Sequence, residues 1–280
     1  MSEGSPLYVH LTDLIRYGKT KKLIKRPSWL LFFDVSKRYF YHFYALSVVW
    51  NGLLLLFSIL SVMMMETFPD WLLDMLCRLS GKSKSAWNEI QLSTLLLQAL
   101  VLVHSFRRLL ECLYVSVFSN GVIHILQYAF GLSYYILLGL TVLCINAYSP
   151  NSEGAPPVHQ LKWYHIIGTL LFVWASFLQH QSLSLLARMR MNSSGKVETL
   201  AHKMPCGRGF ELVSCPHYLA ELLIYLAMSV CCGCASLTWW LVVLYVFWNQ
   251  ALAAQLCHDY YRSKFEMYPC HRKAFIPFVL

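Results

Sequence analysis

The sequence predicts an all-α fold, a polytopic membrane helical bundle with about six transmembrane helices. The chain of 280 residues is 57% hydrophobic, its mean hydropathy is +0.48, and its apolar residues fall in continuous runs. Each run approaches the ~20 residues that a helix needs to cross a ~30 Å hydrocarbon layer. A membrane β-barrel would show alternating apolar and polar residues instead. The runs lie at residues 43–64, 90–106, 121–145, 163–187, 217–234 and 236–257.

The distribution of basic residues predicts the orientation of the chain. Nineteen of the 23 Lys and Arg residues lie on one side of the predicted spans, and four lie on the other. By the positive-inside rule, the rich side, with both termini, faces the cytosol. The net charge of +9 therefore favours anionic lipid head groups or a phosphorylated ligand over nucleic acid.

The segments outside the runs are too short to form a soluble core. Residues 13–26 have too little apolar surface for an independent helix, so residues 1–38 are predicted to be a basic cytosolic arm at the surface. The connection at residues 66–89 is also short. Most of the ten cysteines lie in or beside apolar runs, where a free thiol behaves as a small hydrophobe. No metal site is predicted, because the clustered cysteines lack partners at ligand spacing.

The second run ends in polar residues that admit two interpretations. His104 and Arg108 share one helical face, and Arg107 can pair with Glu111 four residues later. A salt bridge at a helix end explains Arg107 and Glu111 about as well as a functional role does.

The fourth run carries Gln179 and leads into a basic loop. Arg190 follows the run, and the loop contains His202, Lys203 and several glycines. Basic residues at a membrane edge predict binding of a phosphate-bearing ligand, because Arg and Lys form charge-assisted hydrogen bonds to phosphate. An ordinary solvated loop is the alternative.

Glu221 interrupts the fifth run most sharply, because a charge at mid-membrane costs about 2.5–3.5 kcal/mol. His217, four residues earlier, lies on the same helical face. The two could satisfy each other near the interface, or they could form a polar wall of a ligand cavity. The sixth run supplies a second polar stripe at Gln250, Ala254, His258 and Tyr261.

Several sequence elements carry a family resemblance. Residues 258–280 and the element at residues 216–221 resemble the ending and the Pro-Asn-Tyr-Leu-Gly/Ala-Glu element of the steroid 5-alpha-reductase family. Elements at residues 13–21, 37–40 and 111–120 are similar to its polyprenol (polyprenal) reductase branch, the type 3 branch. The resemblance implies a multi-pass enzyme of the endoplasmic reticulum that uses NADPH to reduce the alpha-isoprene double bond of polyprenal or polyprenol in dolichol biosynthesis, which supports protein N-glycosylation.

The resemblance also implies the partners and the domain organisation. A polyprenoid lipid substrate and membrane lipids are the expected partners, and no nucleic acid is expected. Residues 39–280 would form the transmembrane reductase domain, with a family-like C-terminal region at about residues 161–280. Relatives carry a transmembrane helix before the element at residues 13–21, and only twelve residues precede it here, so the family-typical first helix is expected to be missing.

By the same resemblance, eight residues occupy cofactor-binding positions: Gln179, Arg190, His202, Lys203, His217, Glu221, His258 and Tyr261. The implied catalytic residues are Glu221, Tyr261, His104 and Tyr114. The family has Asn where His217 stands, and a Tyr that holds the substrate carbonyl where Ser105 stands. His104, Tyr114, Glu66 and Asp70 are the candidates to replace that Tyr.

Four alternatives to the polyprenoid reductase stay open on the sequence alone. Two are related enzymes, a steroid 3-oxo-5-alpha 4-dehydrogenase and a trans-2-enoyl-CoA reductase. The third is a small membrane transporter with Glu221 and His258 in its pathway. The fourth is an inactive short isoform.

Overall fold

The computed structural model of the chain describes residues 12–21, 26–64, 67–147 and 157–280. Within these residues seven helices form the bundle: α1 (Tyr41–Met64), α2 (Asp70–Ser80), α3 (Leu92–Leu110), α4 (Ile125–Asn146), α5 (Trp163–Arg188), α6 (Pro216–Cys231) and α7 (Leu237–Lys264). Short 3-10 turns lie at Ser28–Phe33, Lys37–Phe40, Lys84–Trp87 and Pro157–Gln160, and a π turn, Glu111–Val115, follows α3. Two strands, β1 (Asp34–Ser36) and β2 (Val122–His124), pair antiparallel, with Val35 opposite Ile123.

Six of these helices correspond to the six apolar runs, which confirms the all-α polytopic membrane fold. Helices α1, α4, α5 and α7 are long and apolar enough to cross a membrane. The apolar sequence of helix α3 is interrupted by His104, Arg107 and Arg108. Helix α6 has 16 residues and spans about 24 Å at 1.5 Å per residue, less than a ~30 Å hydrocarbon layer. The two remaining helices therefore depend on their neighbours for burial of their polar groups and ends.

Helix α2 lies in a connection for which the sequence predicts no helix. Its Leu72, Leu73 and Leu76 are buried and pack in one apolar cluster with Trp87. The apolar residues fall on one helical face. A helix of 11 residues is too short to cross the bilayer, so a search for spanning runs does not detect it.

Helices α5 and α6 approach each other closely at Gly168. A Cβ atom at this position would lie 2.7 Å from Cys231 N and 2.9 Å from Ala227 O. Small residues at such contacts let membrane helices pack backbone to backbone. The contact holds α6 against α5 and so brings Glu221 near Gln179.

The described part of the N-terminal arm, residues 12–21 and 26–38, buries charged side chains, a feature that the sequence does not predict. Lys21 Nζ lies 3.1 Å from a carboxylate oxygen of Asp13 and 3.1 Å from one of Asp34. Arg26 bonds the same two carboxylates at 2.9 and 2.8 Å. The Lys21 side chain is 0% exposed. Charge counting misses this arrangement, because two cations and two anions that neutralise each other can be buried together.

Backbone pairing joins the arm to the segment before α4. Gly18 N donates to Val122 O at 2.8 Å. Gly18 has a φ of +59°, and a Cβ atom at Gly121 would lie 2.7 Å from Gly18 Cα. Glycine is therefore required at both positions, one for its backbone conformation and the other for the close approach. The contact fixes the positions of Tyr17 and Lys19.

The C-terminal tail folds back onto the segment before α6. Ser214 N donates to Lys273 O at 2.8 Å, and Lys273 N donates to Leu212 O at 3.0 Å. Arg272, only 2% exposed, donates to Pro205 O at 3.0 Å. The tail thus fixes the loop after α5 and the beginning of α6 at the same end of the bundle.

Candidate functional site

An open cleft lies where the arm, the end of α5, the beginning of α6 and the end of α7 meet. Tyr17 contributes from the arm, His217 and Tyr218 from α6, and Tyr261 from α7. The four elements come from distant parts of the sequence, so only the folded chain assembles the cleft.

Positive charge dominates the walls of this cleft. Lys19, Lys37, Arg190 and Lys203 line it, and no Asp or Glu is among the described residues that do so. Within the described part of the chain, none of these four cations pairs with a carboxylate. Lys19 Nζ lies instead 3.7 Å from the centroid of the Tyr261 ring. A concentration of unpaired cations favours an anionic ligand, and phosphate above all.

Burial and the neighbouring cations disfavour the protonated form of the His202 imidazole. Burial, together with Lys19, Arg190 and Lys264, lowers the pKa of His202 to about 3. The ring is therefore neutral at pH 7 in the free protein. A bound phosphate would neutralise the same cations, so binding is expected to raise the pKa of His202.

The first turn of α6 directs two polar groups into the cleft. Pro216 occupies the first helical turn, where its missing N–H costs nothing. The hydroxyl groups of Tyr218 and Tyr17 are 3.0 Å apart. His217 Nδ1 is buried and has no hydrogen-bond partner among the described residues. An unsatisfied buried nitrogen is destabilising, so this atom is suited to bond a ligand.

One helical turn beyond His217, Glu221 joins a buried polar network with residues of α3 and α5. His104 Nε2 donates to Glu221 Oε1 at 3.2 Å, and the Gln179 amide donates to Oε2. Arg107 Nη2 donates to Gln179 Oε1 at 2.5 Å and to His104 Nδ1 at 3.2 Å. The acceptor role of Nδ1 places the His104 proton on Nε2. The network holds the Glu221 carboxylate in one orientation.

The same network continues to a second carboxylate, Glu111 in the π turn. Arg107 Nη1 donates to Glu111 Oε1 at 2.7 Å, and Arg108 Nη1 donates to Oε2 at 2.5 Å. His180 Nδ1 lies 2.9 Å from Oε1. The predicted pairing of Arg107 with Glu111 is confirmed, and Arg108 and His180 extend it.

The structure brings eight of the predicted site residues together in two adjacent sets. Those that line the cleft are Arg190, His202, Lys203, His217 and Tyr261. Those in the buried network are His104, Gln179 and Glu221. Gln179 Nε2 also donates to His217 O at 3.4 Å, which connects the network to the cleft across one turn of α6.

The two other predicted residues lie apart from both sets. His258 Nδ1 is 2.7 Å from Ser214 Oγ and 3.5 Å from the Tyr268 hydroxyl. In this position it joins α7 to the C-terminal tail. Tyr114 is 79% exposed and is not among the residues that line the cleft.

The positions considered for holding a substrate carbonyl are also separated by the fold. Ser105 is fully buried and bonds Ser47 Oγ of α1 at 2.7 Å, so it contributes to helix packing. Asp70 pairs with Lys84 at 3.3 Å, and its side chain is 91% exposed. Glu66 lies outside the described residues. Among the candidates that the structure describes, His104 is the one that contacts Glu221.

Sequence reasoning assigns no site role to several residues that line the cleft, among them Tyr17, Lys19, Lys37 and Cys257. Tyr17 and Lys19 belong to the arm, which was expected at the surface. The available signal was the family-like element at residues 13–21, whose tyrosine and lysine carried no assigned chemistry.

Comparison with known proteins supplies the family. Residues 122–280 match the family described as 3-oxo-5-alpha-steroid 4-dehydrogenase. The chain belongs to this family. A relative from Danio rerio named polyprenal reductase is 76% identical over 268 residues, which cover 96% of this chain and 87% of that protein. Proteins of the same name from Xenopus tropicalis and Homo sapiens are 51% and 49% identical over 271 residues, with 95% of this chain covered, and 87% and 85% of those proteins.

Family membership settles the class of protein. The chain is an oxidoreductase with apolar helices of membrane-spanning length. The predicted family and reductase class are confirmed, and a transporter no longer competes as an interpretation.

Proposed function

We propose that the chain uses NADPH to reduce the alpha-isoprene double bond of polyprenal, in the route to dolichol that supports protein N-glycosylation. The observation that carries the proposal is a cationic cleft that opens one helical turn from the buried carboxylate of Glu221. The name of the relatives, polyprenal reductase, supports the choice of substrate. Polyprenol remains the alternative oxidation state of the substrate.

The residues of the cleft fit NADPH. Lys19, Arg190 and Lys203, which pair with no carboxylate among the residues that the structure describes, offer their positive charges to its phosphate groups. The unpartnered His217 Nδ1 offers a hydrogen bond where the cleft meets the Glu221 network. NADPH would supply the hydride, and the protein has to orient the cofactor and exclude water from it.

The buried network supplies the polar groups for the reacting end of the substrate. When hydride reaches the β-carbon of an enal, negative charge develops on the carbonyl oxygen, and a fixed donor stabilises it. Arg107 Nε is buried in this network without a hydrogen-bond partner among the described residues, whereas the N–H of His104 is already donated to Glu221. The bonds of Arg107 to Gln179 and Glu111 hold it in place before substrate arrives, so the reorganisation cost is small.

The membrane explains how a long polyprenoid could be accepted. The outer faces of α4 and α5 expose large apolar side chains, for example Phe130 at 59% and Leu170 at 64%, which suits contact with lipid. The polyprenyl tail can stay in lipid while its aldehyde end enters the protein. Interactions with that remote tail then help to position the reacting end.

The proposal places both termini and the cationic cleft on the cytosolic side of the endoplasmic reticulum membrane, because 19 of 23 basic residues lie on that side of the spans. Epitope tags at the N-terminus and at the C-terminus are expected to be cleaved by protease in sealed microsomes without detergent. A lumenal marker serves as the control and should be cleaved only after detergent is added. Protection of the C-terminal tag from protease would place the cleft on the lumenal side and contradict the proposed orientation.

The substrate assignment predicts a preference that kinetics can measure. Purified chain with NADPH is expected to reduce polyprenal with a kcat/KM at least about tenfold higher than that for a steroid enone or a trans-2-enoyl-CoA, a difference of about 1.4 kcal/mol. The physical reason is the remote binding of the polyprenyl tail, so truncation to a short enal should lower kcat/KM as well. All substrates are assayed in the same detergent. If the kcat/KM for the steroid enone equals that for polyprenal, the assignment moves to the steroid reductases.

A further inference from the structure

We propose that Cys257 is a nucleophilic thiol that takes α,β-unsaturated carbonyl compounds, with formation of a covalent adduct in the cleft. The choice of this class of electrophile rests on the proposed function, because polyprenal is itself an enal. The reactivity of the thiol rests on the structure alone.

Cys257 lies two turns before the end of α7. It lines the cleft beside Lys19, and Tyr261 follows one turn later. Lys19 and Cys257 line the same cleft, and the Lys19 ammonium group sits 3.7 Å from the centroid of the Tyr261 ring, one helical turn from Cys257. An ammonium group in this position stabilises a thiolate, which is the nucleophilic form of cysteine.

A second thiol lies in the same buried cluster. Cys215, which immediately precedes α6, belongs with Cys257 to the apolar core of the bundle. Cys215 is 0% exposed and is not among the residues that line the cleft. Of these two thiols, Cys257 is therefore the one that a ligand in the cleft can reach.

The reaction needs no oxidant. The Cys257 thiolate forms a C–S bond to the β-carbon of the enal, and the C=C π bond breaks as its electron pair moves toward the α-carbon. The α-carbon then takes one proton from water, which replaces the proton that the thiol released on ionisation. The product is a saturated aldehyde joined to sulfur. Because hydride attacks the same carbon, an enal that is poorly placed for reduction is expected to inactivate the enzyme.

Maleimide labelling tests the thiol without any reductase assay. Purified chain in detergent is treated with limiting N-ethylmaleimide, and the modified fraction of each cysteine is measured by peptide mass spectrometry over time. Cys257 is expected to react fastest among the cysteines that are not exposed. Lys19→Met should slow its labelling about tenfold, because the thiolate fraction falls, whereas Lys19→Arg, which keeps the charge, should largely preserve it.

Exposed Cys206 is the internal control for reagent and fold, and its labelling rate should be the same in all three proteins. If Cys257 stays unlabelled while Cys206 reacts, or if Lys19→Met labels Cys257 at the wild-type rate, the activated thiol is excluded.

A second arm tests the class of electrophile. A short 2-enal, incubated with the chain in the absence of NADPH, is expected to add its full mass at Cys257, and the matching saturated aldehyde is expected to add none. Cys257→Ser should remove the adduct. If Cys257 reacts with maleimide but not with the enal, the thiol is activated as proposed, but enals are not the electrophiles that it takes. Neither arm measures turnover, so both results can be interpreted even if the proposed reductase function is wrong.

Discussion

Glu221→Gln is expected to lower turnover about 100-fold or more, because misplacement of a positioned group by about 1 Å can cost a factor of that size. The carboxylate accepts hydrogen bonds from both His104 and Gln179. An amide can accept on one oxygen only, so one of these partners must turn away. The variant keeps the shape of the side chain, and folded yield should stay near that of the wild type.

The matched control is Glu266→Gln, the same chemical change at an exposed position near the end of α7. Turnover of polyprenal with NADPH and the yield of monodisperse protein are measured for both variants. Tyr261→Phe is assayed alongside, because Tyr261 lines the cleft and lies beneath Lys19. Wild-type turnover in Glu221→Gln would show that its network is structural and would remove the cofactor role proposed for this residue.

The bundle could be predicted from the sequence because lipid imposes a simple requirement. Continuous apolar runs locate the spans, and α1, α4, α5 and α7 follow directly from them. Helix α2 could not be found in this way, because it buries one face against Trp87 and never needs to cross the bilayer. The β1–β2 pair has only three residues in each strand, too few for a periodic signal.

The candidate site could be predicted only where polar residues break an apolar pattern. Glu221 and Gln179 stand out in this way, and the structure brings them together with His104. Lys19 and Lys37 do not stand out, because they occur in a segment where basic residues are common. Their placement depends on the pairing of residues 34–36 with residues 122–124, a long-range contact that no local pattern encodes.

The largest expected effect on stability comes from Lys21→Met. The cation lies 3.1 Å from a carboxylate oxygen of Asp13 and from one of Asp34, and its removal leaves Arg26 alone to neutralise both. Removal of one partner of a buried ion pair typically lowers the free energy of unfolding by about 3–5 kcal/mol. This loss corresponds to a fall of about 10 °C in the unfolding midpoint. Thermal unfolding in detergent measures this fall, and Lys196→Met, in an exposed loop, is the matched control.

The difference in unfolding midpoint between the wild type and Lys21→Met should also depend on pH. Although burial alone would raise it, the hydrogen bonds from Arg26 and the ion pair with Lys21 lower the pKa of Asp34. A carboxyl group whose pKa is lower in the folded state adds stability above its unfolded pKa, and this contribution is lost as the pH falls through the folded pKa. Lys21→Met should weaken the contribution, so the difference in unfolding midpoint from the wild type should shrink under acid conditions.

The double variant Lys21→Met, Asp13→Asn decides whether uncompensated charge is the cause. Once Asp13 no longer carries a charge, Arg26 can neutralise Asp34 alone, and the double variant is expected to recover part of the stability lost in Lys21→Met. Groups that contact each other show such non-additive effects, whereas independent sites simply add. Additive losses would mean that Lys21 stabilises the arm through packing of its methylene chain. Because the arm carries Tyr17 and Lys19 into the cleft, the single variant should also weaken NADPH binding, and the double variant should restore part of it in parallel with the unfolding midpoint.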